Sequence, residues 1–200
     1  MAGPSADVAA PDEDPLAFAS ATELRGLIAT RRVSPVELIE HILARIDRVS
    51  PVVNAYCTVA REQAIAAARK TEDDVVRGEA LAPLHGVPVA LKDMVPTAGI
   101  RTTFGSRVYA EHIPSEDALE ASRLKQAGAI IVGKTNTPEF AAGPNTVNAM
   151  FGATRNPWDL RRSAGGAECR RALLLVVRRE SVDAVPSALA SLSRQRSRAS

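Results

Sequence analysis

The pattern of apolar and polar positions changes character at Pro83. Before it the period is helical. Ser20-Ala-Thr-Glu23 is a capping box, in which the serine and glutamate side chains satisfy backbone N–H groups that the first turn leaves orphaned. Leu24, Leu27 and Ile28 follow at helical spacing. Ser34-Pro35-Val36-Glu37 repeats the signal with proline at the first helical position, and Ile39, Ile42, Leu43 and Ile46 line one face. Ser50-Pro51 is expected to end that helix, because proline disfavours helical geometry in the residue before it. An alanine-rich stretch from Arg61 to Val76 predicts a third helix, with Gly78 as its stop.

Beyond Pro83 the apolar runs are short and continuous. Leu84-His85-Gly86-Val87-Pro88 is turn-like, and Val89-Ala90-Leu91 and Ala129-Ile-Ile-Val132 read as buried strands. Between them lie Lys92-Asp93, a loop rich in glycine and threonine over 97–106, and a fourth helix. Ser115 is expected to cap that helix, with Glu116 and Asp117 in its first turn, Leu119 and Leu124 on its buried face and Gly128 as its stop. Strand, loop, helix, strand is a crossover unit, which predicts a parallel pair in an α/β fold. Residues 1–15, rich in Ala, Pro and Asp, read as a loose leader; regularity fades after Trp158, and residues 167–200 read as an aberrant arginine-rich tail expected to be disordered.

Composition narrows the class. With 46% hydrophobic and 24% charged residues, the chain has the balance of a soluble globular protein with a sizeable core. A net charge of +2 is too small to argue for nucleic acid. It is also uneven: Lys70, Lys92, Lys125 and Lys134 all precede residue 135, and the positions beyond Trp158 carry arginine without lysine. That tail lacks the interleaved aromatics of a nucleic-acid binder. Cys57 and Cys169 read as reduced thiols in a cytoplasmic protein, a single disulfide being the alternative. The N-terminus has no secretory signal, and no apolar run approaches the roughly twenty residues of a membrane span. His41 reads as a surface residue, His85 as a turn residue, and with His112 they show no metal-ligand spacing, so neither metal nor cofactor is expected.

Three stretches resemble the amidase signature family. They are Pro83-Leu-His-Gly-Val-Pro-Val-Ala-Leu-Lys-Asp93, Ala127-Gly-Ala-Ile-Ile-Val-Gly-Lys-Thr-Asn-Thr-Pro-Glu-Phe140 and Phe151-Gly-Ala-Thr-Arg-Asn-Pro-Trp-Asp159, leading to Gly165-Gly166. Each motif is weak alone; their order and spacing together are specific. The likeness covers residues 16–166. It implies the N-terminal portion of a mixed sheet flanked by helices, incomplete here, and hydrolysis of a carboxylic amide or transfer of its ammonia. Lys92 matches the family's catalytic lysine, and Phe140, Ala141, Ala142 and Gly143 match the acyl-binding wall. Core packing of Phe140 is the plain alternative. A small amide is the implied substrate.

The chemistry explains the lysine. A serine hydroxyl becomes a nucleophile when a base takes its proton, and lysine serves only when neutral, a form that burial favours. Asp93 either holds this lysine or the nearby backbone, or is an exposed turn carboxylate. After Gly166 the pattern breaks. The family continues with Ser-Ser-Gly-Gly and later Gly-Thr-Asp-x-Gly-Gly-Ser, whereas this chain has Ala167-Glu-Cys-Arg-Arg171 and no further glycine. Both catalytic serines are missing. Codons for Ala-Glu-Cys-Arg-Arg can read Ser-Ala-Gly-Ala in another frame, which points to a frame shift near Gly166. The expectation is an amidase-family chain that is catalytically incomplete. The alternatives are a non-catalytic scaffold, self-associating through exposed sheet edges, and a fragment of a tRNA-dependent amidotransferase A-type subunit. Gly128-Ala-Ile-Ile-Val-Gly133-Lys134-Thr135 also satisfies the spacing of a phosphate-binding loop, but its centre reads as a buried strand, which argues against that role.

Overall fold

A computed structural model describes residues 14–165. The leader up to residue 13 and the tail from residue 166, with Cys169, lie outside the described residues. Asp14 and Pro15, counted above with the leader, belong to the fold. Asp14 caps the short helix α1 (Pro15–Phe18) and is buried. His41 Nε2 lies 2.6 Å from its carboxylate and Arg45 Nη1 2.7 Å, so His41 has a buried partner, not a free surface position.

Both capping boxes form. Ser20 and Glu23 open α2 (Ala21–Ala29), and Ser34 and Glu37 open α3 (Pro35–Val53). The predicted stop at Ser50-Pro51 is overruled: α3 runs on to Val53. Burial of Val53 and the left-handed cap at Asn54 outweigh the local cost of Pro51. The Asn54 amide donates to the carbonyls of Phe151 (2.7 Å) and Ala153 (3.2 Å), 97 or more residues away, which no local rule sees. α4 (Arg61–Arg77) ends at Gly78, whose φ of 71° is the left-handed geometry that glycine adopts freely.

Between α3 and α4 lies β1 (Tyr56–Val59), which the sequence pattern did not predict. Four residues are too few to display a period. β2 (Pro88–Lys92) and β3 (Ile130–Thr135) are the two predicted strands, each extended to include its lysine. The sheet order is β1-β3-β2, with β2 parallel and β1 antiparallel to β3. The connecting helix α5 (Leu119–Gln126) starts later than Ser115. Asp117 is drawn off to the Ala98 amide (2.8 Å) and to Lys125 (2.8 Å), and Leu119 is exposed; Ala121 makes the buried contact instead.

Both faces of the sheet are covered, which explains its continuous apolar runs. Ile130, Val132 and Ala90 join Leu24, Ile28, Ile39, Ile42 and Leu43 on the helical side, while Ile131 and Leu91 pack with Ile100 and Ala121 on the other. The pairing of β2 with β3 slips by one residue after Val89, so the alternation of sides shifts beyond it. Past β3 the chain forms two small ribbons: β4 (Val147–Asn148) with β5 (Gly152–Ala153), and β6 (Arg155–Asn156) with β7 (Asp159–Ser163). No helix among the described residues is long and apolar enough to cross a membrane.

Gly133 is where β1 presses closest on β3. A Cβ there would lie 2.3 Å from the Thr58 carbonyl oxygen and 3.1 Å from Val59 Cα. Both neighbours are backbone and cannot swing aside. Gly133→Ala is therefore expected to cost about 2–3 kcal/mol in urea unfolding and to speed amide exchange at Ala60, which donates to the Val132 carbonyl. Unchanged stability would show that β1 can shift without loss.

Candidate active site

The carboxyl ends of β2 and β3 lie side by side, with Lys92 opposite Thr135. In α/β sheets this is the edge where ligands bind. Lys92 is half-buried, and its ammonium makes no hydrogen bond or ion pair with any described residue. Its backbone carbonyl accepts the Val95 amide (3.0 Å), closing a tight turn.

Asp93, directly after it, is fully buried. Of the readings open for this residue, the one that holds is backbone support. Its carboxylate receives the Thr103 amide (3.1 Å to each oxygen) and the Thr103 hydroxyl (2.5 Å). Its own amide donates to the Thr135 carbonyl (2.9 Å), and its carbonyl accepts the Phe104 amide (3.0 Å). Asp93 thus joins both strand ends to the 103–105 loop.

The buried lysine of the site is Lys134, which sequence reasoning weighed only as a phosphate ligand. It is fully buried within β3, and its ammonium donates to the Val95 carbonyl and to Thr97 Oγ1 (3.0 Å). It serves as an internal tie and does not line a loop. Burial pushes its pKa down to about 8 against the pull of the Asp93 charge. Cys57 lies against the same strand, its thiol donating to the Lys134 carbonyl (3.4 Å), and burial pushes that thiol upward. A lysine inside an otherwise apolar run was the available signal, since a charge in a buried strand must find partners.

Phe140, Ala141, Ala142 and Gly143 form an exposed loop after β3. Phe140 is 52% exposed, so core packing is excluded. Its amide donates to the Phe104 carbonyl (2.8 Å), and its ring meets Tyr109 edge-on at 6.2 Å. Phe140 and Ala141 have φ of 49° and 57°, a left-handed backbone that costs non-glycine residues about 1–3 kcal/mol each. The loop rests on Gly105, where a Cβ would stand 3.0 Å from the Thr137 carbonyl oxygen.

A second set of buried polar groups fixes the chain leaving β3. Asn136 donates to Thr154 Oγ1 (3.1 Å) and accepts from Asn148 Nδ2 (2.7 Å), and Asn148 in turn receives the amides of Met150 and Phe151. The Thr146 amide donates to the Ala164 carbonyl (2.9 Å), and Asn145 bridges Gly165. The third motif is thereby brought beside the ends of the other two. Among the described residues no cluster of His, Cys, Asp and Glu could hold a metal ion.

A lysine amine with no partner among the described residues and a strained exposed loop, both following the carboxyl ends of parallel strands, mark an α/β domain with a candidate site at its strand ends. The Amidase family profile matches residues 37–167. The chain is 46% identical over 152 residues to the A-type subunit of the glutamyl-tRNA(Gln) amidotransferase of Carboxydothermus hydrogenoformans, covering 76% of this chain and 31% of that protein. Among solved structures it resembles a bacterial aryl acylamidase of the amidase signature family, with 29% identity and a TM-score of 0.76 over 80% of this chain and 34% of that one. It also resembles a fatty acid amide hydrolase, with 26% identity and a TM-score of 0.73 over 80% of this chain and 28% of that one. The chain belongs to the amidase family. It spans about a third of the length of the relatives it matches.

Proposed function

We propose that this chain carries the lysine-bearing portion of an amide-hydrolysing site, with Lys92 as the residue that accepts the nucleophile's proton. The observation that carries the reading is the contrast between the two lysines at the strand ends. Lys134 is committed to internal hydrogen bonds, whereas the Lys92 amine has no partner among the described residues and is half-open to a reactant. Phe140, Ala141, Ala142 and Gly143 are the wall against which the acyl part of a small amide rests. The protein works in the cytoplasm and needs neither metal nor cofactor for this chemistry.

The 200 residues contain neither serine motif of the family, so the chain alone is catalytically incomplete. A frame shift near Gly166 accounts for the change to arginine-rich sequence, and the coding DNA around Gly165–Arg171 tests it: another frame should restore serine- and glycine-rich motifs. The amidotransferase reading is favoured by the 46% identity to the A-type subunit of such an enzyme. In that case the ammonia released is passed on to a partner's substrate. The scaffold reading rests on β2, which among the described residues has a strand neighbour on one side only. An unpaired edge of this kind invites self-association.

The direct test is hydrolysis of simple aliphatic and aromatic amides by the purified chain. No turnover above the uncatalysed rate is expected. Measurable hydrolysis that Lys92→Ala abolishes would show that a nucleophile other than the two family serines is present.

A further inference from the structure

We infer that Lys134 is the positioning residue for Lys92, clamping the turn from which the Lys92 amine projects. The inference rests on the reading of Lys92 as the proton acceptor. The connections run through three short steps. The Lys92 carbonyl accepts the Val95 amide (3.0 Å), the Val95 carbonyl accepts the Lys134 ammonium, and Thr97 Oγ1 accepts it as well (3.0 Å) while donating back to the Val95 carbonyl (3.0 Å). Two acceptors on one turn are therefore gathered by a single buried cation on the neighbouring strand. Such charge-assisted bonds are stronger than neutral ones and lose more when one member is removed.

The register places the clamp where it matters. Leu91 pairs with Lys134 and Lys92 with Thr135, so the cation sits one step before the strand end and reaches forward over the turn. The slip in pairing after Val89 shifts the alternation of β3 just ahead of Lys134, the kind of irregularity that re-aims a side chain. Asp93 completes the arrangement. It is buried, its charge supports the Lys134 cation, and its own bonds go to Thr103. The charged or titratable groups acting on Lys134 are Asp93, Cys57, Asp117 and Lys125. Neither end of this pair touches the Lys92 amine, so both act through the backbone that carries it.

The test uses the whole chain and a small amine-acetylating reagent, read lysine by lysine by mass spectrometry. In Lys134→Met, acetylation at Lys92 should rise about threefold or more while Lys70 and Lys125 are unaffected, and amide exchange at Val95 should quicken about tenfold. A further readout separates the cation from mere packing. In the wild-type chain, protection of the Val95 amide should weaken as pH rises through 8 and Lys134 sheds its charge; in Lys134→Met that step should be absent. If Lys134→Met does not fold, Thr97→Val removes one acceptor and keeps the cation, and should give the same Lys92-selective change at smaller size. Unchanged Lys92 labelling and Val95 exchange in a folded variant overturn the inference, as does a rise shared by all the lysines. None of these readouts needs catalysis, so they stand apart from the hydrolysis test of Lys92 as proton acceptor.

Discussion

Joined to the serine-bearing remainder of a stand-alone family member, residues 1–166 of this chain should support amide hydrolysis, and Lys92→Ala should lower turnover by about 10⁴–10⁶. The range follows from how nucleophilic units fail. When base and nucleophile act together, removing one removes the advantage of the other, and the residual rate comes from binding and electrostatics alone. At about 1.4 kcal/mol per decade this corresponds to roughly 5–8 kcal/mol of transition-state stabilisation. KM should change little, because the amine acts on the proton in flight and not on the bound amide. Lys70→Ala, on the exposed side of α4, is the control and should leave turnover unchanged. Loss of less than about tenfold at Lys92 would remove it from the chemistry. A chimera that unfolds cooperatively yet hydrolyses nothing would show that these residues do not complete the site, so unfolding is measured on the same preparation.

The parts of the fold that were legible in the sequence are those whose cause is local. Ser20 with Glu23 and Ser34 with Glu37 announce two helix starts because both partners of each box lie within one turn. Gly78 announces a stop because its backbone must turn left-handed there. Val89–Leu91 and Ile130–Val132 announce strands because both faces of the sheet are covered. What was not legible depends on distant groups. α3 passes through Pro51 because Val53 and Asn54 find partners elsewhere, and β1 exists because β3 gives it an edge. At the site, motif resemblance singled out Lys92 but gave Lys134 no structural task. Whether a lysine is free or tied depends on the 95–97 turn reaching back across β3, a contact 37–39 residues away in the chain. The sequence also suggested that burial would act on Lys92. The structure puts the fully buried amine one strand over, at Lys134.

That transfer makes Asp93 the residue whose loss should hurt the fold most. Asp93→Ala leaves the Lys134 ammonium without its supporting charge and strips the buried Thr103 amide and hydroxyl of their acceptor. Leaving a buried donor unsatisfied costs about 1–3 kcal/mol, and two such donors together with the loss of a nearby charge amount to a large share of the roughly 5–15 kcal/mol that holds a domain together. The pH dependence gives the effect a signature. Lys134 is lowered from 10.5 to about 8 in the folded chain, so between those values the unfolded chain binds more protons and stability rises with pH. Without Asp93 the folded-state value falls further, because the charge that raised it is gone, and the rise begins at lower pH. The deficit of Asp93→Ala should therefore be largest near pH 6 and should narrow as pH climbs through 8. Tyr56 and Cys57, both pushed upward chiefly by burial, oppose stability only at higher pH; Tyr56 does so alike in both chains, and Cys57, whose rise Asp93 shares in, opposes it less in Asp93→Ala, which narrows the deficit in the same direction. Urea unfolding of the two chains at one-unit steps from pH 6 to 9 measures it, and a deficit that stays constant or widens with pH would mean that Asp93 supports Thr103 alone and owes nothing to Lys134.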